Sequence, residues 1–313
     1  MSLLFFQCIN LKNLIIPDSV ISIGEQAFTE CEKLNSVTIG KSVTTIHRTA
    51  FGSRNISGFI VDEDNNTFSS DDRGVLFNKD KTILIQYPIG NSNTTYTIPD
   101  SVITIGEQSF QFCNNLRDVI IGNNVVDIGN SAFSDSTLEK VDIPDNVKTI
   151  GPYAFYCCDE LSEVVIGNKV ETIGELAFHG CNNLVNVTLG DNVKTIYGGA
   201  FEECYKLENV IFPNGLKYIG FNAFSGCSSF TNIIIPNSVT TIGGGAFAGC
   251  NKLESITLPD SIKTISTSMF FSCDSLRNID IPDGVVTIED NAFAFCFNLE
   301  SVTIPNSGKA LCA

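Results

Sequence analysis

Apolar side chains return along this chain at offsets that repeat every 23 residues. Between Cys227 and Cys250 they are Phe230, Ile233, Ile235, Val239, Ile242, Ala246 and Phe247, with Pro236 and Gly243 at fixed places among them. The next unit fills the same slots with Leu253, Ile256, Leu258, Pro259, Ile262, Ile265, Met269 and Phe270. The series opens near the start with Cys8, Leu11, Leu14, Ile16, Pro17, Val20, Ile23, Gly24, Ala27 and Phe28. It is plainest in the evenly spaced Cys158, Cys181, Cys204, Cys227, Cys250, Cys273 and Cys296, and in a phenylalanine slot running from Phe28 to Phe293.

Within a unit, the V-x-I segment before proline has the period of a strand: Val187 and Leu189 face inward, Asn186 and Thr188 outward. Proline ends the strand because it has no N–H to give to a ladder. The V-x-x-I segment that follows is β-branched and predicts a second short strand, closed by a glycine turn. The A-F-x-x-C stretch reads as one turn of α- or 3₁₀-helix. A single unit buries too few of these slots to offset the ordering of its backbone, so units must stack and share their broad faces. The pattern therefore predicts an α/β repeat solenoid of the leucine-rich-repeat kind. Such a solenoid is a right-handed superhelix of 23-residue units with a parallel β-sheet on its concave face. A solenoid grows without the usual limit on core size, so residues 1–313 are expected to form one domain.

The I-P-x-x-V-x-x-I-G-x-x-A-F-x-x-C-x-x-L pattern resembles the BspA-like, or Treponema pallidum-type, leucine-rich repeats of surface proteins from host-associated bacteria and some parasitic protists. The resemblance spans nearly the whole chain. The irregular stretch from Phe59-Ile60-Val61-Asp62 to Tyr87-Pro88 also resembles an insertion common in that family. What the resemblance implies is an extracellular binding protein, often an adhesin for host matrix or other cells. It implies no catalytic residues.

The period slips by one residue near Ser136-Thr137-Leu138 and breaks more deeply between about Gly52 and Thr97. The second break reads as degenerate strands and a hairpin, Val75-Leu76-Phe77 against Ile83-Leu84-Ile85 across Asn78-Lys79-Asp80-Lys81, that protrudes from the stack or widens it. Insertions in solenoids often mark a binding face. A spacer that restarts the register is the plainer reading.

A net charge of −16 disfavours nucleic acid and anionic membranes as partners. No apolar run is long enough to span a bilayer, so direct membrane insertion is not expected. Cysteines recurring once per unit suit a ladder of free, buried thiols, with Ser136 in one slot; Cys157 and Cys312 lie off the ladder and are the more reactive candidates. No cationic segment followed by an apolar core opens the sequence, so no signal peptide is expected within it. It begins inside a repeat at Phe5-Phe6-Gln7-Cys8, and the unit started by Ser301–Pro305 is abandoned at Gly308-Lys309-Ala310-Leu311-Cys312. Uncapped ends of this kind suit either a piece of a longer protein or a homo-oligomer.

Chemistry-bearing motifs are weak. Asp62-Glu63-Asp64-Asn65-Asn66 resembles the start of a calcium loop, but Thr67 and Arg73 stand where the turn glycine and the last glutamate belong. Gly40-Lys41-Ser42 lacks the first glycine of a phosphate loop, having Asn35 there. His47 and His179 are far apart, so neither a triad nor a two-histidine metal site is expected. No metal or cofactor is expected. The Lys148, Lys194, Lys217 and Lys263 series reads as relief of the acidic surplus. What remains is the outward strand face, where Ile211 and Ile234 sit beside Asn209 and Asn232, next to Asn186 and Thr188. This is the candidate ligand-binding surface: apolar anchors in a polar frame. The competing reading is that β-branched residues simply suit an exposed sheet.

Together these features predict a non-enzymatic protein-binding surface protein, an adhesin or host-interaction module, secreted or on the cell surface and engaging a host or cell-surface protein. The alternatives are an intracellular, cytoplasmic interaction scaffold and a structural segment of a larger surface protein. An enzyme would need a carboxylate pair in a cleft and a lectin an aromatic platform on the strand face; the sequence displays neither and has no Trp.

Overall fold

The computed structural model describes residues 4–304 and the strand Ala310–Leu311. Its contacts divide into two units, Met1–Thr137 and Leu138–Ala313, each a run of stacked coils. Every regular coil carries a longer strand, a two-residue strand and a series of turns, in that order. Strands of successive coils pair in parallel at an offset of 23, as in Val164↔Val187 and Ile173↔Ile196 of the second unit. The alternation read from sequence holds: the strand Asn209–Ile211 is exposed, buried, exposed.

Among the described residues there is no helix, so the expected α/β class with helical or 3₁₀ turns is corrected to an all-β solenoid of strands and turns. The reason lies in the backbone of A-F-x-x-C. Tyr153 and Cys157, which flank Ala154 and Phe155, are left-handed, with φ of 57° and 52°. A left-handed residue costs roughly 1–2 kcal/mol, and it turns alternate N–H groups out of the coil. Ala154, Tyr156 and Cys158 donate to carbonyls three residues back, at 3.1–3.3 Å, whereas Tyr153, Phe155 and Cys157 donate to Glu175, Ala177 and His179 of the next coil at 2.7–2.8 Å. A helix would have kept all six bonds inside the coil. The segment instead makes a third ladder between coils.

The core is a set of side-chain columns. Phe155, Phe178, Phe201 and Phe224 stack at 5.0–5.3 Å with rings within 5° of parallel. The cysteine column packs beside it. Cys181, Cys204 and Cys227 each place Sγ 3.2 Å from the carbonyl of Phe155, Phe178 and Phe201. That oxygen already accepts the N–H of its own coil's cysteine. All the described cysteines are free, and burial raises the Cys181 and Cys227 thiols well above the ordinary range. Cys157 is half-buried; Cys312 lies outside the described residues.

In the first unit, β1 (Asn13–Ile16), β3 (Ser36–Ile39) and β5 (Gly58–Val61) form one parallel sheet, and β2 (Ser22–Ile23) pairs only with β4 (Thr45–Ile46). Then comes the insertion: β6 (Phe68–Ser70), β7 (Leu76–Asn78) and β8 (Ile83–Gln86) join antiparallel, with Phe77↔Leu84 as expected and β6 as an unforeseen third strand. Beyond it β8 pairs in parallel with β10 (Thr104–Ile105), and β9 (Thr95–Thr97) with β11 (Asp118–Ile120).

The hairpin does not protrude as a free arm, because Phe68, Val75, Leu76 and Phe77 are core residues. The broken stretch also conceals a true coil. Tyr87 occupies the phenylalanine slot: it stacks on Phe110 at 5.3 Å, and its N–H donates to Ser109 at 2.7 Å, as Phe110 and Phe155 donate to the coil after them. At the far end, Ala310 and Leu311 pair with Thr287 and Ile288, so the repeat continues where sequence suggested it stops.

Tyr87 gives a direct test. Its hydroxyl is buried with no hydrogen-bond partner among the described residues, and burial, then nearby Cys113, pushes its pKa up to about 12. A raised tyrosine pKa means the fold disfavours the phenolate. The stability linked to this is present below the unfolded value near 10 and is lost as pH climbs through 12. Tyr87→Phe is expected to raise stability by about 1–3 kcal/mol by removing the orphaned hydroxyl and to weaken the alkaline loss. Thermal melts at pH 8 and pH 11 check both; an unchanged midpoint at pH 8 would contradict the orphaned state.

Candidate functional site

Alternation within each longer strand puts Asn186, Thr188, Asn209, Ile211, Asn232 and Ile234 on the outer face of the second unit, all exposed. Parallel register sets Asn186 beside Asn209 and Thr188 beside Ile211. On the other side Asn232 meets Ser255 and Ile234 meets Thr257. Ile211 is 79% and Ile234 74% exposed.

Between these two isoleucines the sheet is interrupted. Asn209–Ile211 ends one sheet and Asn232–Ile234 begins another. Beneath the break lie two extra rings, Phe212 and Phe230, in slots that most coils fill with Ile or Leu. Both pack on Phe224, at 5.5 Å edge-on and 5.8 Å tilted. The candidate residues are therefore brought together in two halves, with the apolar pair at the seam.

The polar frame is a column of short side chains. Ser255 Oγ donates to Asn232 Oδ1 at 2.6 Å. Three coils before Asn209, Lys140 Nζ donates to Glu163 Oε2 of the next coil at 2.9 Å, which holds the Lys140 ammonium above its usual range. This face presents exposed side chains, some tied to one another by hydrogen bonds, for contact.

A second cluster escaped the sequence reading. His179 stacks on Tyr156 at 5.0 Å and 10°, with Nδ1 3.6 Å from Glu202 Oε2 and Nε2 4.0 Å from Glu203 Oε2. Burial raises Glu202, opposed by His179 and by Asn222 Nδ2, which donates to Glu202 Oε1 at 3.1 Å. The signal was present, since Tyr156, His179 and Glu202 share one slot at the repeat spacing. His47 belongs to the first unit, its Nδ1 2.9 Å from Thr49 Oγ1. Among the described residues no group of three or more His, Cys, Asp or Glu is placed to hold a metal ion.

The acidic loop is similarly committed to structure. Buried Asn65 donates to the carbonyls of Gly40 (2.9 Å) and Val43 (3.0 Å), while its Oδ1 accepts the N–H groups of Thr67 and Phe68, each at 2.8 Å. Asp62 caps Asp64. The loop seals the end of a coil.

Parallel two-strand coils, inward aliphatic columns and an open strand face define a leucine-rich-repeat solenoid, a fold typical of protein binding and typically non-enzymatic. The chain belongs to the BspA type leucine-rich repeat family, whose pattern matches residues 2–72, 89–208 and 194–312. The stretch left between the first two matches holds β7 and β8. A leucine-rich repeat protein from Eubacterium ventriosum is 28% identical, with 79% of this chain and 78% of that one covered and a TM-score of 0.67. One from Bacteroides ovatus is 27% identical, over 96% and 83%, with a TM-score of 0.57. The T. pallidum leucine-rich repeat protein is 34% identical, over 51% and 78%, with a TM-score of 0.50. No curated protein matches the chain. No helix among the described residues is long and apolar enough to cross a membrane.

Proposed function

We propose that this chain is a non-enzymatic protein-binding module, displayed at a cell surface or secreted, that engages a host or cell-surface protein through the strand face of its second unit. One observation carries the placement: Ile211 and Ile234, the two most exposed aliphatic side chains of that face, lie together at the seam between two sheets, framed by Asn209 and Asn232. An ordered sheet with no partner gains nothing from apolar groups held in water, whereas an interface is anchored by such a pair inside a polar rim. Family membership supports the surface-adhesin form of this reading. An intracellular scaffold would use the same face on a different partner.

The test is binding of the chain to immobilised host matrix and plasma proteins, beside the double variant Ile211→Asp, Ile234→Asp. Both positions are exposed, so each change is expected to alter stability by no more than about 0.5 kcal/mol. Saturable binding by the native chain, lost by a variant with an unchanged melting curve, is the expected result. Binding that survives the double change would move the contact surface off this face. No binding by the folded native chain would sink the adhesin reading.

A further inference from the structure

A different feature of the first unit is left over once the strand face is assigned. At β2 and at β8 the carbonyls along the strand are taken by the coil that follows: Ile21 and Ile23 accept Thr44 and His47, Thr82 and Leu84 accept Ile103 and Gly106, all at 2.8–2.9 Å. At β4 this stops. The next strand in that position, β8, is occupied by β7 on one side and β10 on the other. The equivalent groups of β4, the Thr44 and Ile46 carbonyls and the Ile46 N–H, have no partner among the described residues. The adjoining turn ladder breaks too, since Phe51 stacks on Phe28 and Phe59 and not on Tyr87.

Coils elsewhere in this unit close on one another along both strands. Here β3 and β5 stay paired through four residues, Ser36↔Gly58 to Ile39↔Val61, while the β4 side is open. The result is a groove of two joined cavities, about 220 and 360 Å³, that share Arg48, Gln86 and Gln108. Its first part is lined by Ile46, Ile83 and Ile85. Arg48 Nη1 reaches across to both carboxylate oxygens of Glu107, at 3.4 Å each, from side chains more than two-fifths exposed. An ion pair so exposed to solvent contributes little and is readily opened. Arg54, lining the second part, lies over the Phe112 ring at 4.8 Å and has no carboxylate partner among the described residues.

We propose that this groove binds an extended peptide segment of a partner protein, added as a strand to the open edge of β4. The juxtaposition dictates the ligand. Acceptor, donor and acceptor at Thr44 and Ile46 call for a main chain in extended form, because only a strand presents its own N–H and C=O at that spacing. Ile46, Ile83 and Ile85 call for apolar side chains on alternate residues. The free guanidinium of Arg54 calls for a carboxylate toward one end, which matches a planar donor fork. The site lies in the other unit from Ile211 and Ile234 and stands independently of their role.

The experiment is selection of a displayed library of short random peptides on the full chain, with binders re-measured by fluorescence anisotropy. Enriched peptides are expected to alternate apolar and polar residues and to carry Asp or Glu. They are expected to lose at least about tenfold in affinity, the scale of one lost anchor, against Ile83→Arg, and again when the N–H groups facing β4 are methylated. Arg54→Glu, an exposed change, repeats the question should Ile83→Arg fail to melt like the native chain. The proposal is overturned if no peptide is enriched. It is equally overturned if the binders tolerate N-methylation, or bind the folded variants as well as the native chain.

Discussion

Phe201→Ala is expected to destabilise the second unit by about 3–5 kcal/mol, the range for emptying a fully buried phenylalanine site. The ring is buried and sandwiched between Phe178 at 5.2 Å and Phe224 at 5.3 Å, both within 5° of parallel. Neighbours cannot collapse into the space, because their own positions are fixed by backbone bonds between coils. Phe201 N–H donates to Ala223 at 2.8 Å, and its carbonyl holds the N–H of Cys204 and the thiol of Cys227. A cavity should therefore persist. Stability in a stacked array is a sum of nearest-neighbour terms, so one void weakens two contacts, and hydrogen exchange should accelerate first in the coils on either side. A urea-melt loss below about 1 kcal/mol would show that the ring column is not what joins the coils.

The second large effect is expected in the first unit. Asn65→Leu keeps the volume but strips four hydrogen bonds from a buried position, and two of them leave the Thr67 and Phe68 N–H groups without an acceptor. At about 1–3 kcal/mol for each of these two orphaned groups, the loss should be about 2–6 kcal/mol. Asn65→Asp separates the two halves of the bonding. It retains the acceptor for Thr67 and Phe68 but turns the groups facing the Gly40 and Val43 carbonyls into an oxygen, so it too should destabilise, with the β6 segment keeping more of its exchange protection than in the leucine variant. Equal protection in the two variants would mean that the Oδ1 bonds do not organise the loop.

How legible this fold was depended on whether a contact is written at the repeat spacing. The register of the strands, the inward and outward alternation at Val187 and Ile211 and the cysteine column all follow from side-chain types recurring at one interval. The helical turn was misread because A-F-x-x-C is locally compatible with a helix. What decides otherwise is the bond from Phe155 to Ala177, in the next coil, together with left-handed residues as unlike as Tyr153, Cys157 and Leu176. Tyr87 was missed because an insertion displaced it and its hydroxyl disguised a phenylalanine slot. Asn65 reads as part of a solvated acidic loop, yet its side chain is buried and faces the carbonyls of an earlier coil. The exposed isoleucines could be named from alternation, but the seam between them could not, since a lost strand pairing leaves no mark on the side-chain types at the repeat spacing.

Equal spacing has a consequence for recognition. Gly190 touches the coil before it so closely that an added Cβ would stand 2.2 Å from the Gly167 carbonyl oxygen. Backbone therefore rests on backbone, and paired coils repeat at the interval of neighbouring strands, about 4.8 Å. A partner matched to Asn186 and Asn209 would find almost the same surface after sliding along by one step. Only departures from the column can fix its position. Lys140 with Glu163 on one side, and the Ile211–Ile234 seam followed by Ser255 on the other, are such departures and would hold a partner in place.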